Sequence, residues 1–271
     1  MKKIKWIFTS LSLLFLTQLT GQGKQVTVPF SSTEGEKVLE IDIFSGSVEI
    51  KGSQRNDVLI EYSISKLNED YDEDEGKEKS QGLKRISGSN FGLEIGEDEN
   101  TIYIESQNWT NSLNLVIEVP TNTHIDISKN IGKLIQVENI AGNVNVENNV
   151  GEIMVNGVTG LVNASTNAGN IKVEFDGIPE PKTMKFISTT GDIDITLPSD
   201  YKADLKMKTD WGEVYSDMEI ATTKGDYELK TSEDDQRVKY YTDTWTRGTI
   251  NGGGTEITLK TQMGSIYLRK S

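Results

Sequence analysis

Residues 142–173 read GNVNVENNVGEIMVNGVTGLVNASTNAGNIKV, and this stretch decides the fold. Each glycine opens a short phrase in which every second residue is small or apolar: Gly142-Asn-Val-Asn-Val, Gly151-Glu-Ile-Met-Val, Gly160-Leu-Val-Asn-Ala and Gly169-Asn-Ile-Lys-Val. Residues two apart point to the same face of a strand. Val144 and Val146 therefore face one way, and Asn143, Asn145 and Glu147 the other. Ile153 with Val155 and Ile171 with Val173 repeat the pattern. β-Branched residues dominate the inward set, which suits a pleated surface. Gly and Asn stand between the phrases, where the chain turns. A period of two excludes a helix.

Working outward, glycines at 132, 142, 151, 160 and 169 are spaced by ten, nine, nine and nine residues. The phrase returns as Gly191-Asp-Ile-Asp-Ile, with Ile193 and Ile195 inward, as Gly264-Ser-Ile-Tyr-Leu, and early as Gly46-Ser-Val-Glu-Ile. Gly212-Glu-Val-Tyr-Ser is a weaker copy. A five-residue strand is about 16 Å long, and two strand-and-turn units make a coil of roughly 18–20 residues whose stacking buries a continuous core. The reading is an all-β, parallel β-solenoid or β-roll-like repeat domain with irregular capping segments. An antiparallel meander of nine-residue half-hairpins is the competing arrangement. Identity of the phrase from copy to copy favours stacked coils, which repeat their environment.

The flanks are less regular. Strands are expected near 39–44, 58–64, 93–95, 101–104 and 113–119, the last closed by Pro120. Residues 66–80 form an acidic run, read as a solvated loop. Residues 220–248 read as a long excursion before a final pair of strands at 256–259 and 265–268. The expected organisation is a signal peptide at 1–23 and one all-β domain at 24–271. Within it, 24–112 is less regular and 113–271 carries the repeats.

The first residues set the compartment. Lys2, Lys3 and Lys5 form a positive region, residues 6–19 are largely apolar, and Gly21 and Gly23 supply the small residues of a cleavage site. Cleavage is expected after Gly23, with Gly21 as the alternative. The apolar run is shorter than the roughly 20 residues of a spanning helix. Export to the periplasm or cell surface follows, without stable membrane insertion after cleavage. There is no cysteine, hence no disulfide framework, thiol nucleophile, acylated lipoprotein or Cys-ligated metal. The net charge of −14 becomes more negative once the three signal lysines are removed. A chain so acidic repels phosphates, which disfavours nucleic acid as a partner.

The stretch 113–175, LNLVIEVPTNTHIDISKNIGKLIQVENIAGNVNVENNVGEIMVNGVTGLVNASTNAGNIKVEF, resembles the DUF4097 family of β-strand-repeat proteins, which carries an adhesin label. So does 188–216, STTGDIDITLPSDYKADLKMKTDWGEVYS. The resemblance spans roughly 113–269. It implies an exported or surface solenoid-like domain in a bacterial envelope, and it brings no catalytic residues with it.

No catalytic constellation emerges from the residues themselves. The single histidine, His124, shares the outer face of its strand with Asp126, but no nucleophile stands in an activating context. Asp70, Asp72, Asp74 and Gly76 resemble a calcium loop, yet the sixth and twelfth places hold Glu75 and Gln81. Asn251-Gly-Gly-Gly-Thr255 is read as a turn. Asp192 and Asp194 share one strand face, as glycosidase carboxylates would. No catalytic residue, metal ligand or cofactor is therefore assigned. Tyr240, Tyr241 and Trp245 cluster beside Arg237, Lys239 and Arg247 in the excursion. Aromatics with neighbouring polar groups stack on sugars or anchor partners, so Tyr240, Tyr241, Trp245 and Arg247 form the candidate contact surface. Against this, these rings, with Trp109 and Trp211, are expected to pack down as a cap on the solenoid end. The expected function is a non-catalytic envelope adhesin or interaction module with a glycan, protein or other envelope partner. A polysaccharide-acting β-helix enzyme and a periplasmic cation- or small-ligand-binding protein are the alternatives.

Overall fold

The computed structural model describes residues 24–66, 92–177, 182–223, 229–234, 237–242 and 245–271, with backbone only within 223–244. All regular structure among them is β-strand. The first part of the chain contributes β1 (Lys24–Pro29), β2 (Val38–Ser53), β3 (Asp57–Lys66), β4 (Glu94–Asp98), β5 (Thr101–Ser106) and β6 (Asn111–Pro120). The repeats follow as β7 (His124–Glu138), β8 (Val144–Val158), β9 (Val162–Ala168), β10 (Ile171–Phe175), β11 (Met184–Thr190) and β12 (Ile193–Leu197). Beyond them lie β13 (Ala203–Thr209), β14 (Val214–Ser216), β15 (Ala221–Thr223), β16 (Leu229–Asp234), β17 (Arg237–Thr242), β18 (Thr246–Ile250), β19 (Thr255–Met263) and β20 (Ile266–Lys270).

Each coil has a front and a back strand joined at a glycine bend. β2, β7 and β8 run continuously through the bend. Stacked coils pair in parallel, as the repeat reading required. Ile125 lies beside Val144, and Val144 beside Val162. On the back, Ile135, Ile153, Ile171, Ile193 and Ile266 form one row. These rows of both sheets meet in a single apolar core. All eight inward residues named from the repeat phrase are buried: Val144, Val146, Ile153, Val155, Ile171, Val173, Ile193 and Ile195. Size is compensated between coils, with small Ala164 beside Phe186.

The nine-residue spacing resolves into two corners. Gly132, Gly151 and Gly169 stack at one, and Gly142 and Gly160 at the other. Gly151 shows why the residue is needed. Its φ is +130°, and an added Cβ would stand 2.3 Å from the carbonyl oxygen of Gly132, a distance no side chain tolerates. The same column continues through Gly191, Gly264 and Gly212. Three residues before these glycines stands a polar side chain that turns into the bend. Thr261 Oγ1 donates to the Gly191 carbonyl at 2.8 Å, Ser188 Oγ to Gly169 at 3.0 Å and Thr209 Oγ1 to Gly264 at 2.7 Å. Asn148 Nδ2 donates to Gly151 at 2.8 Å. These bonds satisfy carbonyls that the bend removes from the sheet ladders. Lys129 holds the equivalent place, almost fully buried, with Nζ 3.3 Å from the Gly46 carbonyl.

Space and sequence part company at both ends. The front sheet runs β4, β5, β2, β7, β8, β9, β11, β19, β13, β18, β15. The last coil in sequence, β19 with β20, is thus inserted between β11–β12 and β13–β14. Parallel pairing also gives way at the edges. β4 runs antiparallel to β5, β18 to β13, β3 to β6 and β1 to β3. These antiparallel strands cover edges that would otherwise template further pairing. Asn251, Gly252 and Gly253 turn with positive φ between β18 and β19, as expected of that run.

Candidate functional site

Two outward rows of the front sheet carry a segregated charge pattern. Register places Glu40, Asp126, Asn145 and Asn163 in one row that continues through Lys185, Thr258 and Lys206 to Arg247. The neighbouring row runs Glu105, Asp42, Ser128, Glu147, Ser165, Ile187, Lys260 and Lys208. Within these two rows the acids lie before β9 and the cations after it, while the next outward row places Asp204 on β13 and Glu256 on β19. Among the described residues the five acids before β9 in these two rows have no hydrogen-bond or ion-pair partner. Burial, and then the charge of Glu147, hold the Asp126 carboxyl above its ordinary range. Around β9 the face is shallowly grooved, with volumes of about 440 and 340 Å³, the first lined chiefly by Asn, Ser and Thr and the second bordered by Asp126, Glu147 and Lys185 as well.

The candidate contact residues fall at the cationic end. Trp245 is half-buried, with Lys206 Nζ 4.4 Å and Lys208 Nζ 5.9 Å from its ring centre. Arg247 is exposed and stands opposite Lys206 across the β13–β18 pair. Tyr240 and Tyr241 lie on β17, paired with β16. Their side chains lie outside the described residues, as does the acidic run from 67 onward.

The expectation that Trp109 and Trp211 cap the end is corrected. They are 74% and 82% exposed. Backbone strands cover the edges instead, which a lone ring cannot do because it offers no ladder of hydrogen bonds. Trp211 stands immediately before the corner glycine Gly212, and this position points outward past the bend. In the other coils it holds Ser45, Ile131, Val150, Ala168, Thr190 and Met263; Ser45 is buried in the β2 coil, whereas Ile131, Val150 and Met263 are 39%, 42% and 59% exposed. One position further back is a polar ladder. Asn149 Nδ2 donates to Asn130 Oδ1 at 2.8 Å, Asn167 Nδ2 to Asn149 Oδ1 at 2.8 Å, and Thr189 Oγ1 to Asn167 Oδ1 at 3.4 Å. Trp109 lies in the β5–β6 connection, the equivalent bend of the outermost coil. Aligning the copies backward from each glycine, as well as forward, exposes both rows in the sequence.

The remaining acid and base candidates are engaged in structure. His124 Nδ1 accepts the Asn143 backbone N–H at 3.1 Å. Asp192 Oδ1 accepts the Ser265 N–H at 2.8 Å, and Asp194 accepts from Arg269 Nε at 2.8 and 3.1 Å. Two carboxylates so occupied do not converge on an open site, as an acid–base pair must. Among the described residues no group of three or more His, Cys, Asp or Glu converges as metal ligands would, and no helix is long and apolar enough to cross a membrane.

Parallel two-strand coils, a column of corner glycines and antiparallel edge covers define a class of β-solenoid-like repeat domains. The chain belongs to the Toastrack DUF4097 family, whose sequence pattern matches residues 134–269. Among solved structures, one described as a "putative cell adhesion protein" from Clostridium sporogenes superposes with a TM-score of 0.49 at 11% identity, covering 92% of this chain and 100% of that one. A "putative adhesin" from Bacteroides fragilis gives 0.41 at 10% identity, with 92% and 97% covered. One from Parabacteroides merdae gives 0.28 at 10%, with 93% and 97% covered. No curated protein matches the chain.

Proposed function

We propose that this chain is an exported, non-catalytic interaction module of the cell envelope that holds a polysaccharide chain along its glycine corner. One observation carries the reading. Exposed large apolar side chains gather on that corner from Trp109 through Ile131, Val150 and Met263 to Trp211, beside a continuous row of amides and hydroxyls. Concentrated exposed apolar surface on a soluble domain marks a contact site. Aromatic faces with adjacent amides suit sugar rings, whose apolar faces stack while their hydroxyls bond. The surface is long and shallow, a shape that fits an extended polymer better than a small substrate. Export is supported by the basic, apolar and small-residue order of residues 1–23.

The test is retention of the exported chain on a bacterial polysaccharide array and on isolated envelopes, run beside a screen for polysaccharide degradation. Binding without release of sugar is the expected result. Trp211→Ser with Met263→Ser should weaken retention about tenfold, equivalent to losing one buried aromatic contact, at an unchanged melting temperature. Degradation of any polysaccharide, or retention indifferent to these substitutions, overturns the proposal. Retention only by envelope protein, with the array blank, replaces the glycan by a protein partner. Intact-mass analysis should find the exported chain beginning near Lys24.

A further inference from the structure

We propose that the polysaccharide held along the glycine corner is a hexosamine chain with free, positively charged amino groups. This rests on the corner reading above and names the class of sugar that the corner takes. The corner glycines stack in the order Gly132, Gly151, Gly169, Gly191, Gly264 and Gly212, the carbonyl of each lying against the next. The outward column just before them therefore runs Ile131, Val150, Ala168, Thr190, Met263 and Trp211. On its front side stands the polar ladder, which continues from Thr189 through Gln262 to Asp210. On its back side, one residue past each glycine, stand Lys133, Glu152, Asn170, Asp192, Ser265 and Glu213.

The back row is fixed by its own bonds. Asn170 Oδ1 accepts the Asp192 N–H at 2.9 Å, Asp192 Oδ1 the Ser265 N–H at 2.8 Å, and Ser265 Oγ the Glu213 N–H at 3.3 Å. Carboxylates thus recur at every second coil, Glu152, Asp192 and Glu213, with a rise of about 9.6 Å from one to the next at about 4.8 Å per strand. Asp210 adds a fourth beside Trp211, in an ion pair with Lys208 at 3.8 Å. From Val150 to Trp211 the two bordering rows hold these four carboxylates and no lysine or arginine. Lys133, at the Ile131 coil, is the one cation in either row. The next rows out hold both signs, with Glu147, Lys260 and Lys208 in front and Lys172 and Asp194 behind. The excess of acid is confined to the rows that border the apolar column. A sugar ring seated on that column carries its substituents over those rows. An ammonium there meets a carboxylate in a charge-assisted hydrogen bond, and the exposed face of Trp211 attracts a cation as well. Uronic or phosphate-bearing polymers meet the same carboxylates as like charges, which costs association.

The experiment measures the affinity of the exported chain for glucosamine hexamers, fully deacetylated or fully N-acetylated, beside oligogalacturonate and hexalysine. It is run at about 0.05 M and about 0.5 M salt, where exposed charges are respectively felt and screened. At low salt the deacetylated hexamer should bind at least about tenfold tighter than the acetylated one, and high salt should remove that preference. Glu152→Gln with Glu213→Gln should weaken the deacetylated hexamer about tenfold, the loss of one hydrogen bond between charged groups. The acetylated hexamer and the melting temperature should not respond to these substitutions, whereas Trp211→Ser should weaken both hexamers. Equal affinity for the two hexamers, tighter binding of the uronate, or a preference that survives Glu152→Gln with Glu213→Gln would each overturn the amine assignment. Hexalysine bound as tightly as the deacetylated sugar would overturn it in favour of a basic peptide. If both hexamers fail while another polysaccharide on the array is retained, the amine assignment falls and the corner reading stands. A blank array removes both.

Discussion

The coils of β7 to β12 stack in the order of the chain, whereas the coils beyond Tyr201 do not. From 124 to 197 each coil lies on the one before it. After 203 the chain builds β13–β14, leaves for β15 to β18, and returns to slip β19–β20 underneath. Yet the inserted coil carries the same phrase as the central ones, with Ile257, Leu259, Ile266 and Leu268 inward and Gly264 in the column. The repeat therefore specifies how one coil fits another and leaves open which coil it meets. Order at the end is set by the pieces that cannot accept a further coil: β18 lies antiparallel on β13 and β15 on β18.

That comparison can be broken by asking whether the inserted coil is as central energetically as it is in space. Val146→Asp places an unpaired charge between coils and should destabilise by about 4 kcal/mol or more. Ile257→Asp should cost as much, since β19 is flanked by β11 and β13. Asn145→Asp, on the outward row, should stay within about 0.5 kcal/mol. Chemical denaturation of the three variants decides it, and an Ile257→Asp cost well below that of Val146→Asp would make the inserted coil a loosely held end.

The glycine column sharpens the same point at a smaller scale. Gly151→Ala and Gly264→Ala meet the carbonyls of Gly132 and Gly191 at 2.3 and 2.0 Å, and each should cost about 3 kcal/mol. Equal costs would show that the central and inserted bends are equally constrained. Thr261→Val removes the donor to the Gly191 carbonyl and should cost about 1–2 kcal/mol, the penalty of an unsatisfied buried acceptor.

The smallest effect is a slope with pH. Burial lowers the Lys129 amine from 10.5 to about 8. Between these values the unfolded chain holds a proton that the folded chain has released, so stability rises with pH across that window. Below about 8 the buried charge opposes folding in full. Lys129→Met should match or exceed the parent's stability at neutral pH. Its advantage should shrink as pH rises from about 8 to 10.5, read as the difference between the two denaturation curves. An advantage constant across the window would mean that Lys129 keeps its proton in the fold.

Much of this was legible in the sequence. Alternation named the core face, because a strand sends successive side chains to opposite sides whatever its neighbours are. The same parity turns Lys129 inward with Ile125 and Ile127, although its charge argues for solvent. The column position of Gly264 was legible as a repeat, and its place between Gly191 and Gly212 was not. The candidate contact residues were half legible. Trp245 and Arg247 stand out by composition, but Lys206, Lys185 and Lys260 join them only through register between residues up to 73 apart in sequence.

What the sequence determined by itself is the coil: its period of two, its glycine bends and its inward set. Those are properties of five or six consecutive residues, fixed by backbone geometry and sterics. The tertiary structure alone decided which coils touch, where the antiparallel edges fall, and which outward charges share a row. These depend on pairings between distant segments whose backbone hydrogen bonds are the same for any partner, so local residues do not encode the choice.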